Sequence, residues 1–382
     1  MCFNKRRELN GGITMANFNE TITFPSGVTL PNRLMMAPMT TQLSFYNGVI
    51  TEDEIMYYQE RSKGLGAVIT GAANVQDIGK GWPGELSIAH DEMIPRLSDL
   101  AKAIKENGAK AIVQIFHGGR MTSRATLSGE QTVSASAIPA ERPNAETPRA
   151  LSEDEILETI KAFGEATRRA IEAGFDGVEL HGANTYLIQQ FFSPHSNRRE
   201  DQWGGSLENR YRFIDEVVKS VFQAVETYAT KPFIVGYRFS PEEFETPGIR
   251  FEDTIWLMEK LRETKLDYLH VSLSTYDRVA RSEKYNEQSM LHYLHETVQG
   301  KIPLVGVGNV RNRQDVEAVL SDAELVAVGQ QLLVDPEWAV KLMENRDTEL
   351  VTKPFAKAYQ ELYLPNPLYN FLQIRYQSNT NR

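Results

Sequence analysis

The chain has 382 residues, of which 41% are hydrophobic and 24% charged, so a sizeable core can be buried and disorder is not a sensible reading. Lys and Arg number 41 against 51 Asp and Glu, a net charge of −10 with no basic run long enough to track a phosphate backbone or an anionic membrane, which argues against nucleic acid and membrane partners. The one cysteine, Cys2, excludes an intrachain disulfide, a Cys-ligated iron–sulfur cluster and a zinc ribbon, and fits a reducing, cytoplasmic compartment.

Residues 1–16 carry Lys5, Arg6 and Arg7 but no apolar stretch of secretory type, so they read as a poorly ordered extension, with Met15 as an alternative start. No apolar run approaches the ~20 residues that span a bilayer. Residues 21–30 read as a hairpin turning at Pro25, Ser26 and Gly27, placed across the bottom of the fold. Eight apolar or β-branched runs then follow, at 33–39, 67–74, 111–117, 177–183, 232–240, 267–274, 303–308 and 325–330. Each precedes a stretch of helical period, at 52–63, 94–107, 152–173, 209–227, 251–262, 290–298, 312–320 and 336–345. Near-continuous apolar strands are buried on both faces, as in a parallel sheet covered by helices. Eight βα units predict an α/β fold closed as a (β/α)₈ TIM barrel, with an open doubly wound sheet as the other arrangement the alternation allows.

Ser152, ahead of Glu153 and Glu155, predicts a capping box, and Gly174 the end of that helix. Residues 118–151 show no helical period and are expected to form a long substrate-shaping loop after strand three. One barrel domain over 17–346 is expected, with a tail over 347–382 that packs on the barrel or on a neighbouring subunit, which allows a homo-oligomer.

Reactive groups in such barrels stand at the carboxyl ends of strands. That rule selects Pro38, Met39 and Thr40 at strand one, Gln114 and His117 at strand three, His181, Asn184 and Tyr186 at strand four, and Arg238 at strand five. At strands seven and eight it selects Gly308, Asn309, Gly329 and Gln330, where barrels commonly bind phosphate. His181 and Asn184 are neutral donors, and a tyrosine such as Tyr186 is a proton donor rather than a base at neutral pH. Taken alone, each of these residues reads first as a satisfied strand-end polar group. Arg238, at the end of a buried strand, needs an anion or a structural carboxylate. The GKGWPG run at 79–84 matches a dinucleotide fingerprint by letter only, because Pro83 precludes the helix that must follow. His292 and His295 lack a third ligand for a metal and read as solvated; no metal site is predicted.

The segments PNRLMMAPMT (31–40), QIFHGGR (114–120), VELHGANTYL (178–187) and FSPHSNRREDQWGGSLENR (192–210) together resemble the Old Yellow Enzyme family of NAD(P)H:flavin oxidoreductases, from about residue 18 to about residue 343. The resemblance implies a barrel that holds FMN, uses NADH or NADPH as electron donor and reduces activated C=C bonds of small molecules by a ping-pong cycle. It implies that Pro38, Met39 and Thr40 line the flavin, that Gly71 approaches it through its backbone, that Gln114 bonds its pyrimidine edge and that Arg238 faces N1. His181 and Asn184 would hold a substrate carbonyl, and Tyr186 would deliver a proton to the α-carbon.

The chain also departs from that pattern. Gly329-Gln330 stands where relatives commonly carry Gly-Arg for the FMN phosphate, and Asn309 replaces a glycine after Gly308. Weaker FMN retention is expected, with Arg311 or Arg313 as candidates to compensate. Gln42 replaces a tyrosine found near the substrate in some relatives, and Arg375 is a candidate to reach a neighbour's site. A dienoyl-CoA-reductase-like role is the alternative within enzymes, though those relatives add Cys-ligated cluster domains. A phosphosugar barrel would leave Gln114 and Arg238 without a task. A non-catalytic flavin-binding protein would have no use for the set His181, Asn184 and Tyr186.

Overall fold

The apolar runs pair edge to edge until the sheet closes on itself, in a computed structural model that describes residues 8–9, 12–13, 17–352, 362 and 364–376. The eight barrel strands are β1 (Leu34–Met36), β2 (Ala67–Asn74), β3 (Lys110–Phe116), β4 (Gly177–Gly182), β5 (Ile234–Phe239), β6 (Tyr268–Val271), β7 (Leu304–Val307) and β8 (Leu325–Val328). Each is parallel to its sequence neighbour, and β8 pairs with β1, so no edge remains in the barrel. The helices are α1 (Glu52–Arg61), α2 (Ile94–Lys105), α3 (Glu153–Glu172), α4 (Leu207–Tyr228), α5 (Phe251–Leu261), α6 (Met290–Val298), α7 (Arg313–Leu320) and α8 (Trp338–Met343). The fold is the predicted (β/α)₈ barrel.

Two apolar layers hold it. The outer one lies between strands and helices. The inner one fills the barrel with residues such as Met35, Ile69, Ile112, Ile234 and Leu325, closed from below by Phe24 and Leu30 of the hairpin. That hairpin pairs Ile22–Thr23 with Thr29–Leu30 and is tied down by Ser26 N–H, which donates to Asp267 Oδ1 at 2.8 Å. The barrel is therefore a packed core with one open end. The Ser152 capping box forms as expected, and Gly174 leaves α3 with a φ of 82°.

Differences from the sequence reading have local causes. The first strand stops at Met36 because Pro38 has no N–H to extend a ladder. The last stops at Val328, and Gln330 opens a short helix, Gln330–Val334, instead of ending a strand. A second short helix, Leu187–Phe192, lies in what reads as connecting sequence. Residues 8–9 and 12–13 pair antiparallel within the segment expected to be a poorly ordered extension. The long loop after β3 contains only a two-residue strand pair, Val133–Ser134 with Arg149–Ala150. Of the tail, the helix Asn366–Tyr376 packs back on the same barrel, burying Leu368 and Leu372; the Arg375 side chain lies outside the described residues. Among the described residues no helix is long and apolar enough to cross a membrane.

Candidate active site

The open end of the barrel is a cleft of about 700 Å³, walled by the carboxyl ends of the strands and the loops that follow them. Pro38, Met39, Thr40, Gln114, His181, Asn184, Tyr186, Arg238, Gly308, Asn309, Gly329 and Gln330 all line it. Residues more than 290 positions apart in sequence thus face one space.

Arg238 sets the electrostatics. It is 8% exposed, its Nε is buried without a hydrogen-bond partner, and no described side chain forms an ion pair with it. Burial lowers its pKa, opposed chiefly by the negative charge of Glu179. Glu179 is itself fully buried and is occupied by Gln114 Nε2 at 2.7 Å, Tyr268 OH at 3.0 Å and His270 Nδ1 at 2.9 Å. Burial works against its ionisation, but His270, Arg238 and the Gln114 bond outweigh it and hold the carboxyl below its ordinary value. A buried cation is thus balanced from a distance by a saturated carboxylate, and its own donors remain for something in the cleft. Gln114 gives its NH₂ to Glu179, so its carbonyl oxygen is the acceptor it offers on the other side.

His181 is neutral: burial, reinforced by the charge of Arg238, pushes its pKa well below 6.5. Its Nδ1 accepts the Ala183 N–H at 3.4 Å, which assigns the proton to Nε2 as a donor. Asn184 sits with φ 55°, and its Oδ1 accepts from Ser272 Oγ at 2.9 Å, which leaves its NH₂ as the donor. The Tyr186 ring stands edge-on to His181 with centroids 4.9 Å apart, and edge-on to Phe116 at 4.9 Å. One wall therefore carries two neutral N–H donors and a phenol.

The opposite wall is built from β1, β7 and β8. The segment Pro38–Thr40 is held from behind, where Thr41 Oγ1 and Ser44 Oγ donate to the buried Glu54 carboxyl at 2.6 and 2.5 Å. Gly308 has φ 129°, and a Cβ there would lie 2.6 Å from the Thr275 carbonyl carbon, so only glycine fits. Asn309 follows at φ 53°, a left-handed conformation that asparagine tolerates. Behind both departures from the family pattern stands Arg311, donating to Asn309 Oδ1 at 3.0 Å and to Gln330 Oε1 at 2.7 Å. The two amide oxygens are thereby used, and their NH₂ groups become the donors presented to the cleft. Arg313 is turned away, paired with Asp347 at 2.8 Å.

Several sequence expectations need correction. Gly71 does not line the cleft; Ala72 does. An irregularity in the β2–β3 register between Ile69 and Ala72 turns the Gly71 N–H to Tyr58 OH at 2.6 Å, and a Cβ there would meet the Met39 carbonyl. His117 packs against Gly79 instead, with its pKa lowered by burial to about 3. Residues 118–151 supply none of the cleft lining, nor does Gln42. His292 is paired with Asp322 at 2.9 Å rather than fully solvated.

Other residues take the shaping role. Trp82 lies in the cleft on the GKGWPG loop, which buried Glu85 holds by accepting Gly81 N–H at 2.9 Å and Trp82 N–H at 3.2 Å. The opposite rim is the loop after β5, with Glu242, Glu243 and Phe244. Its sequence signal was a dense acidic–aromatic run, PEEFE at 241–245, three residues after Arg238.

Residues 19–349 match the family described as NADH:flavin oxidoreductase / NADH oxidase. The chain is 45% identical over 364 residues to an NADH:acrylate oxidoreductase of Vibrio harveyi, covering 94% of this chain but 36% of that protein. It therefore spans little more than a third of that relative. A probable NADH-dependent flavin oxidoreductase of Bacillus subtilis is 45% identical over 351 residues, 92% of this chain and 94% of its own length. Among solved structures, an Old Yellow Enzyme homologue from Zymomonas mobilis superposes with a TM-score of 0.78 at 25% identity, covering 93% of this chain and 99% of its own.

Proposed function

The chain belongs to the NADH:flavin oxidoreductase / NADH oxidase family, and on that premise we propose that it is an FMN-dependent enzyme that takes hydride from NADH or NADPH and reduces activated C=C bonds of enones or related electrophiles. The observation that carries this reading is Arg238: a buried guanidinium with no hydrogen-bond partner for Nε, facing a cleft that also holds two neutral carbonyl-binding donors.

The residues present fit FMN. Arg238 would hold the N1 edge of the ring, the Gln114 carbonyl oxygen would accept the pyrimidine N–H, and Pro38–Thr40 would form the surface beside the ring. Gly308, Asn309, Gly329 and Gln330 would hold the phosphate end, through backbone N–H groups and two amide donors. Bound there, FMN supplies the hydride transfer that the side chains themselves lack. His181 Nε2–H and Asn184 Nδ2–H grip the substrate carbonyl oxygen and draw charge from the conjugated alkene, so its β-carbon becomes the electrophile. Tyr186 OH gives its proton to the α-carbon and regains one from solvent. Because His181 is held neutral by burial and by Arg238, it donates a hydrogen bond without competing as an acid.

One cleft serves donor and acceptor in turn, so initial rates with NADH and cyclohexenone are expected to give parallel double-reciprocal lines, with each substrate inhibiting at its own high concentration in competition with the other. Intersecting lines, which mark a ternary complex, contradict the shared cleft.

The phosphate contact has its own test. Gln330→Glu keeps the Arg311 contact as an ion pair and replaces the outward NH₂ with a carboxylate oxygen. FMN affinity, read by flavin fluorescence, is expected to fall roughly 10- to 100-fold while riboflavin, without a phosphate, shifts less than about threefold. Equal losses for both flavins would place the phosphate elsewhere.

A second reading rests on the Vibrio harveyi relative, most of whose length lies outside the matched part. In it the present chain oxidises the nicotinamide and passes reducing equivalents to an acceptor other than an alkene in its own cleft. Tyr186 then has no proton to deliver.

A further inference from the structure

We propose that Phe244, with Arg281 and Arg278, forms a docking platform for the adenosine diphosphate end of the reduced dinucleotide at the mouth of the cleft. This rests on the reading that NADH or NADPH is the donor, and it assigns a task to the part of that molecule the barrel interior does not use.

Phe244 is 73% exposed although it belongs to the lining of the cleft, so its ring face is open to a ligand at the mouth. The loop that displays it is anchored at several points. Glu243 accepts from Gln189 Nε2 at 2.7 Å, from Ser193 Oγ and from Ile249 N–H at 3.0 Å. Arg250 bonds the Glu243 and Glu245 carbonyls and the Thr246 hydroxyl from beneath. The ring is therefore held out by structure.

Two guanidinia converge on it. Arg281 lies 4.0 Å from the ring centroid and Arg278 lies 5.8 Å from it. Both are steadied by one buried carboxylate, Glu242, at 2.7 Å from Arg278 and 3.9 Å from Arg281. The two guanidinia share the single Glu242 carboxylate, which leaves N–H donors on both beside the ring. An aromatic face for a purine beside cations for a pyrophosphate is the chemistry of an adenine nucleotide. With the nicotinamide inside, in the space that His181 and Asn184 face, a dinucleotide leaves the cleft across its mouth, and this loop is the side of the mouth that carries an aromatic face beside guanidinia.

Stopped-flow reduction of the FMN-loaded full chain by NADH and by reduced nicotinamide mononucleotide, which lacks the adenosine monophosphate half, reads the platform directly. In Phe244→Ala the apparent Kd for NADH is expected to rise about fivefold to tenfold while that for the mononucleotide stays within about twofold, and Arg281→Ala is expected to do the same. Calorimetric binding of ADP-ribose to the same holoenzymes gives a readout independent of turnover, with weaker binding to both variants expected. Equal changes for the dinucleotide and mononucleotide, or unaltered ADP-ribose binding in Phe244→Ala, overturn the proposal. If no nicotinamide reduces the flavin but ADP-ribose binding still depends on Phe244, the platform stands and the donor assignment falls.

Discussion

Arg238→Met is expected to make the flavin-free protein more stable and the enzyme nearly inactive. The guanidinium is buried and its Nε has no partner, so in the absence of ligand it contributes a desolvation penalty that Met does not. Glu179 keeps its three hydrogen-bond donors when the arginine is removed, among them His270, whose charge lowers the Glu179 pKa more than that of Arg238 does. The unfolding free energy of the apoprotein should therefore rise by ~1 kcal/mol or more. Flavin reduction by NADH should at the same time slow by roughly 10²- to 10³-fold, the range found when one preorganised donor to a developing negative charge is lost. Opposite signs are the diagnostic outcome. A destabilised apoprotein with normal flavin reduction would make Arg238 a structural residue that pairs with Glu179.

Tyr186→Phe should divide the catalytic cycle in two. The phenol is placed beside His181 and Phe116 by ring contacts that phenylalanine preserves, so the cleft keeps its shape. Reduction of the bound flavin by NADH needs no proton from this wall and should change by less than about twofold. Reoxidation by an enone needs a proton on the α-carbon, and should slow by ~10²- to 10⁴-fold, the usual contribution of a positioned acid. Unchanged reoxidation in Tyr186→Phe would mean that the α-carbon takes its proton from another source, whereas an unmodified chain whose reduced flavin is not reoxidised by enones favours delivery to another acceptor, the reading suggested by the longer Vibrio harveyi relative.

The barrel was legible because buried parallel strands leave an uninterrupted apolar signature, and eight of them alternate with helical periods. The cleft lining was legible where strand ends carry polar residues, as at Gln114, His181 and Arg238. Gly71 and Ala72 show the limit. A one-residue irregularity in β2 decides which of them faces the cleft, and nothing in the run AVITGAAN marks where it falls. The cleft's outer shape was hidden for a different reason. Trp82 and Phe244 sit on loops whose course depends on buried acids, Glu85 and Glu243, reached only through tertiary contacts. The long segment 118–151 has the composition of a substrate loop, but it folds beside the cleft, where Arg120 bonds the Ile138 and Pro139 carbonyls. Arg311 was a candidate whose direction only the fold reveals, because two of its partners, Asn309 and Gln330, stand on adjacent strand ends 21 positions apart.

The most direct test of the account is the visible spectrum of the purified chain with FMN, followed anaerobically as NADH and then cyclohexenone are added. The flavin absorption should bleach with NADH, return with the enone, and return far more slowly in Tyr186→Phe. Bleaching that persists in the presence of enones would contradict ene-reduction in this cleft, and a chain that binds no FMN would contradict the flavoenzyme altogether.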